Sequence, residues 1–248
     1  MSRRRRRSHG SRRGISGLAS LLLVLAVVAL WTYFSGPTTG SGEGDGGSPS
    51  SSAIAVSGGF ASGDPGTARA TLEELPISEP GSMAGYSREK FDHWSQASEF
   101  GWGAPEESCD VRDAALIRDG EDVVVGDRCK IVSGTWLDPY TTNTYTDPQD
   151  IDIDHIVPLA NAWRSGASSW DSAEREAYAN APNVLFAVED NANQEKGDKG
   201  PEAWRPPNEE IWCEYAVRWI GIKSDYGLSV NPEEKNALTE MLDTCEGG

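Results

Sequence analysis

The run Asp152-Ile153-Asp154-His155-Ile156-Val157-Pro158-Leu159 places an imidazole directly after a carboxylate inside an apolar, strand-like stretch. Imidazole is the side chain best suited to accept a proton near neutral pH. Aspartate is a hard-oxygen ligand for divalent cations. The pair therefore has the side-chain types needed to abstract a proton beside a metal ion. Successive side chains of a strand point to opposite faces, so Asp154 and His155 reach one substrate only if the backbone bends there. Pro158, just downstream, is compatible with such a break. By themselves the two residues are equally consistent with a histidine that packs or caps locally.

The elements that must position this pair follow from pattern and punctuation. Ser87-Arg88-Glu89-Lys90-Phe91-Asp92-His93-Trp94 opens like a short helix with Ser87 as its cap. Residues 121–136 read as a β-hairpin, with β-branched runs flanking the turn pair Gly126-Asp127. Asp171-Ser172-Ala173-Glu174 is a capping box that starts a helix running to about Ala179. Asn183-Val184-Leu185-Phe186-Ala187-Val188 is a short buried strand, and residues 191–201 hold one or two helical turns ended by Gly and Pro. Asn208 caps a helix over 209–222 whose apolar face includes Ile211, Tyr215, Trp219 and Ile220. Asn231-Pro232-Glu233-Glu234 supplies cap, first-turn Pro and capping-box Glu for a last helix.

Ahead of these elements the composition changes. Residues 3–7 are five consecutive arginines, Arg12 and Arg13 follow, and residues 15–34 carry no charge. That uncharged run is long enough to span a bilayer, and its basic flank predicts a cytoplasmic segment 1–14 with everything downstream exported. A cleaved signal sequence is the competing reading of residues 15–34. Residues 35–70, rich in Gly and Ser, read as a flexible linker. The folded part is then 71–248, one extracellular domain. It holds all four cysteines, and sequence neighbours suggest Cys109–Cys129 and Cys213–Cys245. No pair has the close spacing of a zinc site, so disulfides are expected. The formal net charge is −17; removing the seven N-terminal arginines from 22 Lys and Arg leaves 15 against 39 Asp and Glu, a net −24. Such a domain repels bulk nucleic acid, which counts against a binder that relies on phosphate contacts. It counts less against an enzyme whose site is locally neutralised by a divalent cation.

In order along the domain stand residues 154–159, Ala162-Trp163-Arg164-Ser165-Gly166-Ala167, Asn183 before its strand, Asn193-Gln194-Glu195-Lys196-Gly197-Asp198, and Pro201-Glu202-Ala203-Trp204. This ordered set resembles the His-Asn-His (HNH) endonuclease family, and within it the secreted HNH nucleases of actinobacteria. The resemblance covers about residues 83–245, including Cys109-Asp110-Val111-Arg112 and Trp136-Leu137-Asp138-Pro139-Tyr140. It implies an α+β fold with a ββα-metal core, here preceded by the β-hairpin and flanked by C-terminal helices. It implies His155 as general base, Asp154 as metal ligand, and Asn183 as the middle Asn that supports the loop and orients the His. Asn193 falls at the last position, where many members have His; it is assigned as second metal ligand, with Asn191 competing. Asp and Asn oxygens without a second imidazole favour one hard divalent cation, Mg²⁺ ahead of Zn²⁺, with Mn²⁺ or Ca²⁺ also fitting. Lys196 is expected to add a phosphate contact; Arg164 and Lys199 are further candidates for one, with ordinary solvated surface charge as the competing reading of all three. His93 reads as a surface or packing histidine, and the tryptophans as core.

The expected activity is metal-dependent hydrolysis of DNA or RNA phosphodiester bonds outside the cytoplasm. Nucleic acid is the substrate, the membrane is met through residues 15–34, and no protein partner is expected. A non-catalytic cell-wall or carbohydrate-binding module is the alternative, motivated by the acidic charge and nine tryptophans. A hydrolase built on Asp150 and Asp152 has no specific spacing behind it.

Overall fold

The computed structural model describes residues 63–246. The expected cytoplasmic segment, the apolar run 15–34 and most of the linker lie outside the described residues. Among those described, no helix is long and apolar enough to cross a membrane. The first helix, α1 (Pro65–Glu74), starts ahead of the expected boundary at 71, because Asp64 caps it through the Thr67 amide and Pro65 sits in its first turn. Leu72, 2% exposed, anchors it to the core.

The expected helix after Ser87 is a single 3-10 turn over residues 88–90, and Ser87 makes no side-chain cap bond. With Lys90 where a capping box needs Glu, the reciprocal bond is missing. Helix α2 (Val111–Asp119) follows, closed by a capping box between Asp110 and Asp113. Strands β1 (Glu121–Val125) and β2 (Ile131–Leu137) pair antiparallel as the expected hairpin, and β3 (Thr144–Tyr145) extends the sheet in the order β1-β2-β3. The Cys109–Cys129 disulfide ties the hairpin turn to the start of α2.

A separate two-stranded ribbon joins β4 (Ile151–His155) to β5 (Leu185–Glu189), with Asp154 opposite Phe186 and His155 opposite Leu185. Helices α3 (Leu159–Arg164) and α4 (Ser172–Ala179) fill the connection, and α5 (Asp190–Lys196) follows β5 directly. Each face of the ribbon meets its own core. Ile151, Ile153, Leu185 and Ala187 pack with Leu116 and Trp136, while Phe186 and Val188 pack with the C-terminal helices. Burial on both faces is why residues 184–188 are continuously apolar rather than alternating. Helix α6 (Trp212–Asp225) follows a 3-10 turn capped by Asn208, and α7 (Pro232–Asp243) carries the expected Asn231 capping box. The Cys213–Cys245 disulfide links α6 to the chain just beyond α7. The fold is thus α+β, with a ββα unit, a preceding hairpin, flanking helices and both expected disulfides.

Candidate active site

Strand β4 ends at His155, and the chain turns through residues 156–158 into α3. Alternation along β4 puts Asp152 and Asp154 on one face and Ile153 and His155 on the other. A cavity of about 180 Å³ wraps this strand end and is lined by Tyr86, Arg88, Asp154, His155, Asn193 and Asp198, among others. The two neighbours therefore reach one space because it lies at the end of the strand. Both are largely buried, Asp154 at 5% and His155 at 4% exposure.

Helix α5 docks on β4 through two polar pairs. The Lys196 ammonium donates to Asp154 Oδ1 at 2.7 Å, and Asn193 Nδ2 donates to Asp152 Oδ2 at 3.1 Å. Positions i and i+3 on a helix rise about 4.5 Å, and i and i+2 on a strand about 6.6 Å, so the Asn-x-x-Lys spacing can meet the Asp-x-Asp spacing with modest side-chain adjustment. Gly197, with φ 51°, ends α5, and its amide donates to the Asn193 carbonyl. Lys196 is completely buried and also donates to the His155 carbonyl at 2.9 Å. Tyr140, buried against Trp204 and Tyr215, donates its hydroxyl to Asp154 Oδ2 at 2.7 Å. Burial raises the Asp154 carboxyl above its ordinary value and lowers the Lys196 ammonium below its own; their mutual attraction opposes both shifts.

His155 Nε2 lies 2.9 Å from the Ala179 carbonyl. A carbonyl only accepts, so Nε2 carries the proton and Nδ1 keeps its lone pair. Nδ1 has no hydrogen-bond partner among the described residues, and no sealed side-chain nitrogen or oxygen lacks one. Nδ1 is therefore open to solvent. Burial drives the imidazole pKa down from 6.5 to about 3, so the ring is neutral at pH 7. Next to Ala179, fully buried Asn180 pins the loop. Its Oδ1 accepts from the Ser95 amide at 3.1 Å, and its Nδ2 donates to the Asp92 and Glu176 carbonyls.

The other expected residues lie differently. Asn183 is exposed and off the cavity; its Nδ2 donates to Asp225 and its Oδ1 accepts from Tyr226. The orienting contact expected from it is made by the Ala179 backbone, which a local dipeptide pattern cannot reveal. Lys196 lies beneath the site rather than on it, so the phosphate contact expected of it is not available from this position. Arg164 donates to the Asp198 carbonyl and lines a separate cavity of about 70 Å³. Lys199 donates to the Glu195 carbonyl, and Asn191 bonds Glu189, whose carboxylate caps α5. Pattern reading assigned no role to Tyr140 or Asn180. Tyr140 belongs to the Trp136-Leu137-Asp138-Pro139-Tyr140 run, whereas Asn180 carries no sequence signal beyond being polar after a helix. His93, read as packing, stands with its ring 6.4 Å from that of His155.

Asp154 and Asn193 are hard oxygen donors facing one space. Asn193 Oδ1 has no hydrogen-bond partner among the described residues, and each Asp154 oxygen keeps a lone pair beyond the bond it accepts. Among the described residues, no cluster of three or more His, Cys, Asp or Glu side chains could hold a metal ion. The donor set suits a hard cation that keeps several waters and takes a substrate oxygen, the habit of Mg²⁺, and does not suit a closed zinc site.

The domain is α+β, with a buried Asp-His pair at the end of a β-ribbon that is backed by a helix. Residues 110–241 match the family described as GmrSD restriction endonucleases, C-terminal domain. The chain belongs to that family, and the family is one of nucleases. A protein of the fungus Arthroderma benhamiae, described as an uncharacterized secreted protein, is 47% identical over 181 residues, which is 72% of this chain and 85% of the relative. That secreted relative and the two disulfides agree with a place outside the cytoplasm. The nuclease resemblance is supported at family level; the narrower actinobacterial grouping is not, the relative being fungal. No solved structure matches the chain.

Proposed function

We propose that this domain is an exported endonuclease of the HNH type that hydrolyses phosphodiester bonds of DNA, RNA being the second substrate with the same bond. The observation that supports it most is His155, a neutral imidazole whose Nε2 is committed to a carbonyl and whose Nδ1 is open beside Asp154 and Asn193. Nδ1 takes the proton from the attacking water. Asp154 and Asn193 would hold one divalent cation, Mg²⁺ first and Mn²⁺ or Ca²⁺ next. That ion would supply charge stabilisation to the phosphate and the leaving oxygen. Tyr140 and Lys196 keep Asp154 ionised and oriented, and Asn180 holds the loop whose carbonyl fixes the His155 tautomer. In this reading, residues 1–14 are cytoplasmic and residues 15–34 act as anchor or export signal. The Gly/Ser-rich stretch before Pro65 tethers the domain outside the cell.

The alternative, a wall- or carbohydrate-binding module, would use exposed aromatic platforms. Among the described residues, the exposed large apolar side chains are Ile77, Met83, Val124, Val132 and Leu137, none aromatic. The test is plasmid cleavage by the purified chain with Mg²⁺, Mn²⁺, Ca²⁺ or excess chelator, for wild type and His155→Ala, with circular dichroism as the fold control. Loss of a general base should slow cleavage on the order of 10²–10⁴-fold. Full cleavage by the variant, or by wild type in chelator, sinks the mechanism.

A further inference from the structure

The residues around His155 do not all come from the span that matches the family. The match begins at residue 110, yet Tyr86 and Arg88 line the cavity, and the rings of His93 and Trp94 stand 6.4 and 6.1 Å from that of His155. This lead-in segment is held firmly. Phe91 is fully buried, packed edge-on against Trp163 and Tyr178. Asn180 grips the segment through the Asp92 carbonyl and the Ser95 amide, and the same residue adjoins the carbonyl that holds His155.

Among the cavity-lining residues Arg88 is the cation, set against Asp154 and Asp198. Its guanidinium is exposed and forms no hydrogen bond or salt bridge among the described residues. Lys196 is buried and paired with Asp154, and Arg164 is turned to the Asp198 carbonyl. In a chain that carries a net −24 beyond its seven N-terminal arginines, a polyanion needs a local positive contact to settle at His155. A guanidinium fork suits the two oxygens of a phosphate better than any other side chain.

We propose that the segment 86–94 forms the substrate-phosphate side of this active site, with Arg88 binding a backbone phosphate of the nucleic acid beside the bond that is cut. The proposal rests on the endonuclease reading above and goes beyond it by naming a substrate-binding residue outside the family's matched span. The remaining rings, His93 and Trp94, stand beside the His155 imidazole at 6.4 and 6.1 Å between ring centres.

The experiment uses the purified full chain and a short DNA duplex. Steady-state cleavage is measured with the supporting cation, and binding is measured in excess chelator across a series of salt concentrations. Arg88→Ala should raise KM about tenfold with kcat within about threefold, and should reduce the salt slope of binding by about 1. Arg88→Lys, which keeps the charge but loses the fork, should fall between. Lys130→Ala, which removes an exposed cation that does not line the cavity, should match wild type. An Arg88→Ala protein with wild-type KM and salt slope, or a Lys130→Ala protein equally impaired, overturns this inference while leaving the endonuclease reading standing. A wild type that cuts no nucleic acid with any cation overturns that reading and this inference with it.

Discussion

A neutral imidazole held inside the domain makes His155 a proton site that the unfolded chain keeps and the folded state lacks. Its folded pKa is about 3 against 6.5 when free. Above pH 6.5 neither state is protonated there, and the group adds no pH dependence. As pH falls from 6.5 toward 3, the unfolded state binds the proton and folding stability drops by at most about 1.4 kcal/mol per pH unit. Denaturant unfolding in chelator should show wild type losing more stability than His155→Gln between pH 7 and 4; parallel pH profiles would contradict the burial of a neutral ring. Lys196 carries the second residue-scale prediction. Lys196→Met leaves the Asp154 carboxylate buried without its cation and should cost about 3–5 kcal/mol. Adding Asp154→Asn to that variant should recover part of the loss, measured as a double-mutant cycle. The adjacency of Asp154 and His155 is legible in the sequence because the two are chain neighbours at a strand end. Asn183 lies off the cavity, and the contact to His155 Nε2 comes from the Ala179 carbonyl, a backbone group with no side-chain signature.

At the scale of elements, the site is a ribbon end closed by one helix below and one loop behind. Capping boxes marked α4 and α7 correctly because cap and partner lie within one turn of sequence. The stretch after Ser87 was read as a helix, yet it forms a wall whose conformation is set by Asn180, across a separation of 85 residues from Ser95. Asn180→Ala removes three hydrogen bonds and leaves the Ser95 amide without its partner. It should destabilise the domain by about 1–3 kcal/mol. Because the loop bearing the Ala179 carbonyl loosens with it, kcat should fall while KM changes less. Equal loss in both, or in neither, would show that the loop does not position His155.

At the scale of the whole molecule, the net charge is −17, and the chain beyond the seven N-terminal arginines carries −24, which works against a nucleic-acid substrate. A nuclease that grips DNA through many basic contacts loses affinity steeply with salt, in proportion to the phosphates neutralised. Here the cationic contact offered by the cavity lining is Arg88, and added salt also screens the repulsion of the acidic surface. The slope of log affinity against log monovalent salt should therefore be shallower than about −2, read by duplex binding in chelator; a slope of −5 or steeper would mean that a basic surface has been overlooked. By itself the sequence determined the starts of α4 and α7, the hairpin, the two disulfides and the adjacency of Asp154 and His155, since each is written in residues a turn or a strand apart or in a small set of cysteine pairings. Only the tertiary structure decided that Lys196 is a buried counter-ion of Asp154, that Tyr140 bonds Asp154 while Asn180 adjoins the carbonyl bonded by His155, and that the lead-in segment bearing Arg88 lines the same cavity. Those outcomes depend on which faces two cores leave buried and on contacts spanning tens of residues, and no local pattern encodes them.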